Sequence, residues 1–114
     1  MKHIIHGTST AEIVECEKIK NSSDFLDIIG NIHCKNYIFK KEQFDSNFFD
    51  LSTKIAGDIL QKISNYNKRL AIIGDYSKIK SKALKDFIYE GNKTKQVIFV
   101  DEVEEALRIF EACE

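Results

Sequence analysis

Apolar positions along this chain come in short blocks, and their spacing alternates between the strand period of two and the helix period of about 3.6. Residues 3–6 and 11–16 are strand-like and flank Gly7-Thr8-Ser9, which predicts a β-hairpin. Phe25, Leu26, Ile28, Ile29 and Ile32 then give one apolar side to a helix, with Ser22 or Ser23 expected as its cap. Tyr37-Ile38-Phe39 is a short buried strand closed by Lys40-Lys41-Glu42. Leu51, Ile55, Ile59 and Ile63 step by four, while Ala56 and Leu60 widen the stripe, so a second helix is predicted with Asp50 or Ser52 as N-cap. Ser64-Asn65-Tyr66-Asn67 ends it. Residues 70–73 form a continuous apolar run, as suits a strand covered on both faces. Ile79, Ala83, Leu84, Phe87 and Ile88 mark a third helix ending near Gly91-Asn92. Residues 97–100 are another apolar strand. Asp101 with Glu104 then reads as a capping box before a last helix carrying Val103, Ala106, Leu107 and Phe110.

The predicted order is β-β-α-β-α-β-α-β-α. Strict alternation after the hairpin implies right-handed crossovers. The fold class is therefore α/β: a single mixed, mostly parallel sheet with an N-terminal hairpin and covering helices. At 114 residues the chain is expected to be one domain, 1–114. A chain of that size buries roughly two-thirds of its unfolded surface, enough for a core without metal or disulfide support.

Composition narrows the function classes. Apolar content of 43% and charged content of 31% belong to a globular protein. The net charge of -1 provides no global field toward nucleic acid or membrane. No apolar run approaches the ~20 residues of a spanning helix, and no signal-peptide pattern follows the first strand. Cys16, Cys34 and Cys113 are odd in number and widely spaced, which reads as reduced thiols and predicts a cytoplasmic location. No Cys/His spacing fits zinc, and His3 and His6 fall on opposite strand faces, so no metal or other cofactor is expected. With no proline, turns fall to Gly, Asn, Asp and Ser.

The stretches Phe48-Phe49-Asp50-Leu51, Ala56-Gly57, Ile59-Leu60-Gln61-Lys62, Leu70-Ala71-Ile72-Ile73-Gly74-Asp75 and Asp86-Phe87-Ile88-Tyr89-Glu90 resemble a bacterial domain-of-unknown-function family, number 4180. The likeness covers about residues 37–110 and implies no assigned activity. The chain departs from that pattern at Lys54, where the family carries Gly, and at Gly91-Asn92-Lys93-Thr94, where it carries Ser-Asn-basic-Gly. A more distant resemblance is to STAS domains, the sulfate-transporter and anti-sigma-factor-antagonist fold. Tyr37-Ile38-Phe39 resembles their strand, Phe49-Asp50-Leu51-Ser52-Thr53 their hydrophobic-Asp-Ser-Ser turn, and Leu70-Ala71-Ile72-Ile73-Gly74 their next strand. That resemblance implies a STAS-like domain and makes Ser52 or Thr53 candidate phosphoacceptors. Leu51 interrupts the Asp-Ser pair, and the loop 40–47 is longer than the pattern.

Two polar clusters are candidate binding residues. Asp50, Ser52 and Thr53, with Phe49 beside them, precede a helix whose unpaired N–H groups and positive dipole end favour an anion. N-capping accounts for the same residues. Gly74, Asp75 and Ser77 follow a central strand, where ligands of open α/β sheets bind; they equally suit caps of the next helix. Phe48 and Phe49 cannot both face one core from adjacent helical positions. Lysines 78, 80, 82, 85, 93 and 95 oppose a last helix rich in Glu, a pattern that steers a protein partner or favours a homo-oligomer. Nucleic acid is not expected, because Arg is scarce and no RNA-binding aromatic motif accompanies the lysines. Asp86 and Glu90 lie on one side of a helix beside Lys82 and Lys85 and read as ordinary ion pairing.

The sequence thus predicts a non-enzymatic regulatory or protein-interaction module of STAS-like type. Its expected surface is residues 48–57 with 74–77. The alternative is a small anionic or nucleotide-like ligand bound at the same edge. No catalytic set is expected.

Overall fold

The fold is taken from a computed structural model that describes residues 3–7, 11–16, 18–31 and 34–113. Strands β1 (His3–Gly7) and β2 (Glu12–Cys16) pair antiparallel, with Ile5 opposite Val14. The expected Gly7-Thr8-Ser9 turn reaches outside the described residues. Helix α1 (Ser22–Gly30) leads to β3 (Asn36–Lys40). Helix α2 (Ile55–Asn65) leads to β4 (Arg69–Ile73), and α3 (Lys82–Thr94) to β5 (Val97–Val100). Helix α4 (Val103–Cys113) follows. The sheet order is β1-β2-β3-β4-β5, and β2 to β5 run parallel. The predicted fold class is therefore the observed one.

Each new strand is added on the same side of the last. Right-handed crossovers then place α1, α2 and α3 together on one face of the sheet. The core obeys this. Tyr37, Phe39, Leu70, Ile72, Val97 and Phe99 alternate onto that face and pack with Phe25, Ile28, Ile59 and Ile63. Ile38, Ala71, Ile98 and Val100 point to the other face, where α4 supplies Ala106 and Phe110.

Four local expectations are corrected. Asn21, not Ser22 or Ser23, caps α1: its side chain accepts from the Asp24 N–H at 2.9 Å. Helix α2 begins at Ile55, four residues later than the period-four stripe implies, because Lys54 adopts the left-handed conformation (φ 65°) and stops regular winding. Helix α3 starts at Lys82 behind the Ser81 cap and leaves Ile79 in the preceding loop. It also runs past Gly91-Asn92 and ends at a left-handed Lys95 (φ 61°). Gly91 is needed for a different reason than capping. A Cβ there would lie 2.3 Å from the Val97 carbonyl oxygen, so its hydrogen-only side chain lets helix and strand touch.

Candidate functional site

Between β3 and α2 the chain makes three 3₁₀ turns, Lys41–Gln43, Ser46–Phe49 and Leu51–Thr53. They sit at the carboxyl ends of the parallel strands. The residue 18–20 lead-in is tied beside them by Ile19 N–H donating to the Gln43 carbonyl (2.6 Å) and Asp45 N–H donating to the Ile19 carbonyl (2.8 Å). The buried Gln43 side chain accepts from the Lys40 N–H at 2.6 Å and closes the first turn. The segment is short of helix-stabilising length, so aromatic packing holds it. Rings run in a file through Phe25, Phe39, Phe44, Phe48, Phe49, Tyr76 and Phe99, with neighbouring centroids between 4.6 and 6.3 Å. Phe48 is buried within it and Phe49 is half-buried. Because both sit in a 3₁₀ turn, the two adjacent rings meet edge to face at 4.8 Å.

Lys41 is the centre of this edge. Its stem crosses Gly74, where a Cβ would lie 2.6 Å from the Lys41 Cβ. Its ammonium donates to the Asp75 carbonyl at 2.8 Å and lies 5.5 Å from the Phe49 ring centroid and 5.1 Å from that of Tyr76. A cation held against two ring faces is attracted by their quadrupoles. Gly74 thus permits a close approach to the backbone, and the approaching group is Lys41. Tyr76 donates from its hydroxyl to the Ile72 carbonyl at 2.9 Å, and burial, then nearby Glu42, pushes its pKa upward.

The two polar clusters share one local structure. Asp50 accepts from the Ser52 N–H (3.1 Å) and hydroxyl (2.6 Å). Asp75 accepts from the Ser77 N–H (2.9 Å) and hydroxyl (2.6 Å). These Asp-x-Ser turns satisfy the side chains locally. The serine hydroxyl, followed by the serine N–H, lowers each carboxyl's pKa. Thr53 donates to the Asn47 and Asp50 carbonyls, both at 2.8 Å. Asp50 therefore caps the 3₁₀ turn and not α2, whose N-cap position is Lys54, with no side-chain cap.

Three clefts open to solvent along this edge. The first, about 360 Å³, has buried or half-buried Phe44, Phe49, Ile79 and Leu84 against exposed Lys18, Glu42 and Ser46. The second, about 500 Å³, lies over Lys40, Glu42, Ile73, Gly74, Asp75 and Asp101. The third, about 390 Å³, continues past Tyr76, Ser77 and Asn92 to Asp101, Glu105 and Ile109. Glu42 is shared by the first two, and Gly74, Asp75 and Asp101 by the last two. Of the sequence-predicted residues, Phe49, Gly74, Asp75 and Ser77 line this track, while Asp50, Ser52 and Thr53 line none of the three clefts. Lys18, Lys41, Phe44 and Ile79 join it without having been singled out for it. The isolated Ile79 between Lys78 and Lys80 was a signal, masked by its fit to a helical stripe. Among the described residues no group of three His, Cys, Asp or Glu side chains is placed to hold a metal ion, and no helix is long and apolar enough to cross a membrane. Lys82 and Asp86 form the expected ion pair at 2.9 Å on α3.

Neither a curated protein nor a solved structure matches the chain. One family model does, that described as Domain of unknown function (DUF4180), over residues 5–109. That span takes in every strand from β2 to β5, all the 3₁₀ turns and the whole edge track, and the chain belongs to this family.

Proposed function

We propose that the protein is a non-enzymatic regulatory module that binds another protein through the carboxyl edge of its sheet. The observation that carries this reading is the apolar cleft of Phe44, Phe49, Ile79 and Leu84, walled by a lysine that Phe49, Tyr76 and the Asp75 carbonyl hold in place. An apolar cleft with a fixed polar wall suits a partner side chain. The carboxylates and hydroxyls foreseen for an anionic ligand are engaged in their own turns, which favours a protein partner over a small anion. Phe49 and the 74–77 turn are the contact residues in this reading; the order of strand, turn, helix and strand over residues 37–74 supports its STAS-like character. A photocrosslinking residue at position 79 is expected to give protein adducts in cells that vanish with Phe49→Ala. Equal adducts from position 66, an exposed residue on the α2 end, or none at 79, would sink the proposal.

A further inference from the structure

At the amino-terminal end of the strands, away from the edge described above, two helix-to-strand connections run side by side. Helix α2 passes into β4 through Asn67 (φ 57°) and α3 into β5 through Lys95 (φ 61°), both left-handed. They lie together because β4 and β5 are paired, and the Leu70 N–H donates to the Gln96 carbonyl at 2.9 Å. Between them is a recess of about 150 Å³ lined by Asn67, Lys68, Arg69, Thr94 and Gln96. The lining holds two cations, two carboxamides and a hydroxyl, with no carboxylate and no apolar residue. Sites for drug-sized ligands run to roughly 300–1,000 Å³, so this recess has room for a small ion or for the tip of a larger molecule.

Carboxyl ends of helices favour positive charge, which alone accounts for a cation near them when it bonds their carbonyls. Here backbone groups already do so. The Lys68 N–H donates to the Ile63 carbonyl (2.9 Å), the Asn67 N–H to that of Ser64 (3.0 Å) and the Lys95 N–H to that of Gly91 (2.9 Å). The Thr94 hydroxyl also donates to the Gly91 carbonyl, at 3.3 Å. The Lys68 ammonium donates to the Cys34 carbonyl. The half-buried Arg69 guanidinium has no hydrogen-bond or ion-pair partner among the described residues, and neither do the Asn67 and Gln96 carboxamides. A guanidinium fork presents paired donors that match two oxygens of a phosphate group. We infer that the recess binds a phosphate-type oxyanion, gripped by the Arg69 fork, with the Asn67 and Gln96 carboxamides donating beside it and Lys68 adding charge. Glu90, one turn before Thr94 on α3, does not line the recess, and neither do Lys93 and Lys95. The site is independent of the protein-binding edge proposed above.

The test is titration of the full chain with inorganic phosphate, read by calorimetry and by the thermal unfolding midpoint, against sodium chloride at equal ionic strength. Phosphate should bind saturably and raise the midpoint beyond the chloride control. Arg69→Gln should weaken binding by about tenfold or more, because it removes hydrogen bonds made by a charged group. Arg69→Lys keeps the charge, loses the fork and should weaken binding as well. Gln96→Ala, which leaves every cation in place, should weaken it to a smaller extent and serves if the Arg69 variants do not fold. Lys93→Gln/Lys95→Gln and Phe49→Ala should bind as the unaltered chain does. Methyl phosphate binding more tightly than inorganic phosphate assigns the site to a phosphate ester, and the reverse assigns it to the free ion. A response no larger than that to chloride overturns the inference. So does full binding by Arg69→Gln or, where the Arg69 variants do not fold, by Gln96→Ala. An equal loss in Lys93→Gln/Lys95→Gln would trace the effect to the general positive field of this end and overturn the inference too.

Discussion

Lys54 stands at a backbone position made for glycine. Its φ of 65° and ψ of 6° lie in the left-handed region, which costs a side-chain-bearing residue about 1–2 kcal/mol. A glycine would take this conformation without that cost at the junction between the Leu51–Thr53 turn and α2. Part of the gain from glycine is offset by its larger unfolded-state entropy, worth about 0.4–1 kcal/mol. Lys54→Gly is therefore expected to stabilise the protein by roughly 0.5–1 kcal/mol, seen as a higher urea midpoint at unchanged slope. An unchanged or lower midpoint would show that the lysine side chain compensates for the strain. At the same scale, Asp50 and Asp75 were legible as turn formers but not in role. Sequence spacing says that Asp-x-Ser can close on itself; it does not say that Asp75 will also lend its carbonyl to Lys41, thirty-four positions away.

Among the elements, α3 and β5 are joined by a contact that neither sequence period reveals. Asn92 is on the helix, and its carboxamide accepts from the Phe99 N–H at 2.7 Å and donates to the Phe99 carbonyl at 3.3 Å. In a parallel strand both groups of one residue point the same way, and β5 is the last strand of the sheet. Asn92 therefore satisfies one N–H and C=O pair on an edge that would otherwise offer a template for strand addition. Asn92→Ala leaves both groups to solvent and is expected to cost about 1–2 kcal/mol. Hydrogen exchange at the Phe99 amide should accelerate before that of the central strand β4. Unchanged protection at Phe99 would mean the edge is covered by something other than Asn92. The turn that ends α3 is made by Lys95, in the left-handed conformation.

Across the whole molecule, the sheet face carrying three helices holds a buried tyrosine whose state reports on the fold. Tyr37 is 1% exposed on a central strand, and its hydroxyl donates to the Ile29 carbonyl of α1 at 3.4 Å. Burial, with a smaller contribution from Cys34, pushes its pKa from 10.0 up to about 12. The folded state thus holds the phenol proton more tightly than the unfolded chain does. Its contribution is complete below pH 10 and is lost as pH rises toward 12. Tyr37→Phe should flatten the alkaline fall in stability across that window, measured by urea unfolding at stepped pH. An equally steep fall in the variant would place the alkaline sensitivity elsewhere.

The sequence by itself determined the order of elements, the mixed sheet and most of the core, because period-two and period-3.6 burial is written in local spacing. Tyr37, Phe39, Leu70, Ile72, Val97 and Phe99 could be placed in strands from their neighbours alone. It also marked Phe49 and the Gly74–Ser77 turn as edge residues, since strand ends are visible in one dimension. Helix starts were less legible where a left-handed residue or a capping side chain overrode the apolar stripe, as at Lys54 and Ser81. Tertiary structure alone decided that Lys41 lies across Gly74 between Phe49 and Tyr76, and that Lys18 and Ile79 border the same cleft. Those contacts join segments that are distant in sequence and are set by how the parallel strands bring their loops to one end. Local spacing carries burial, but the convergence of separate loops depends on strand order, and strand order is a property of the packed sheet.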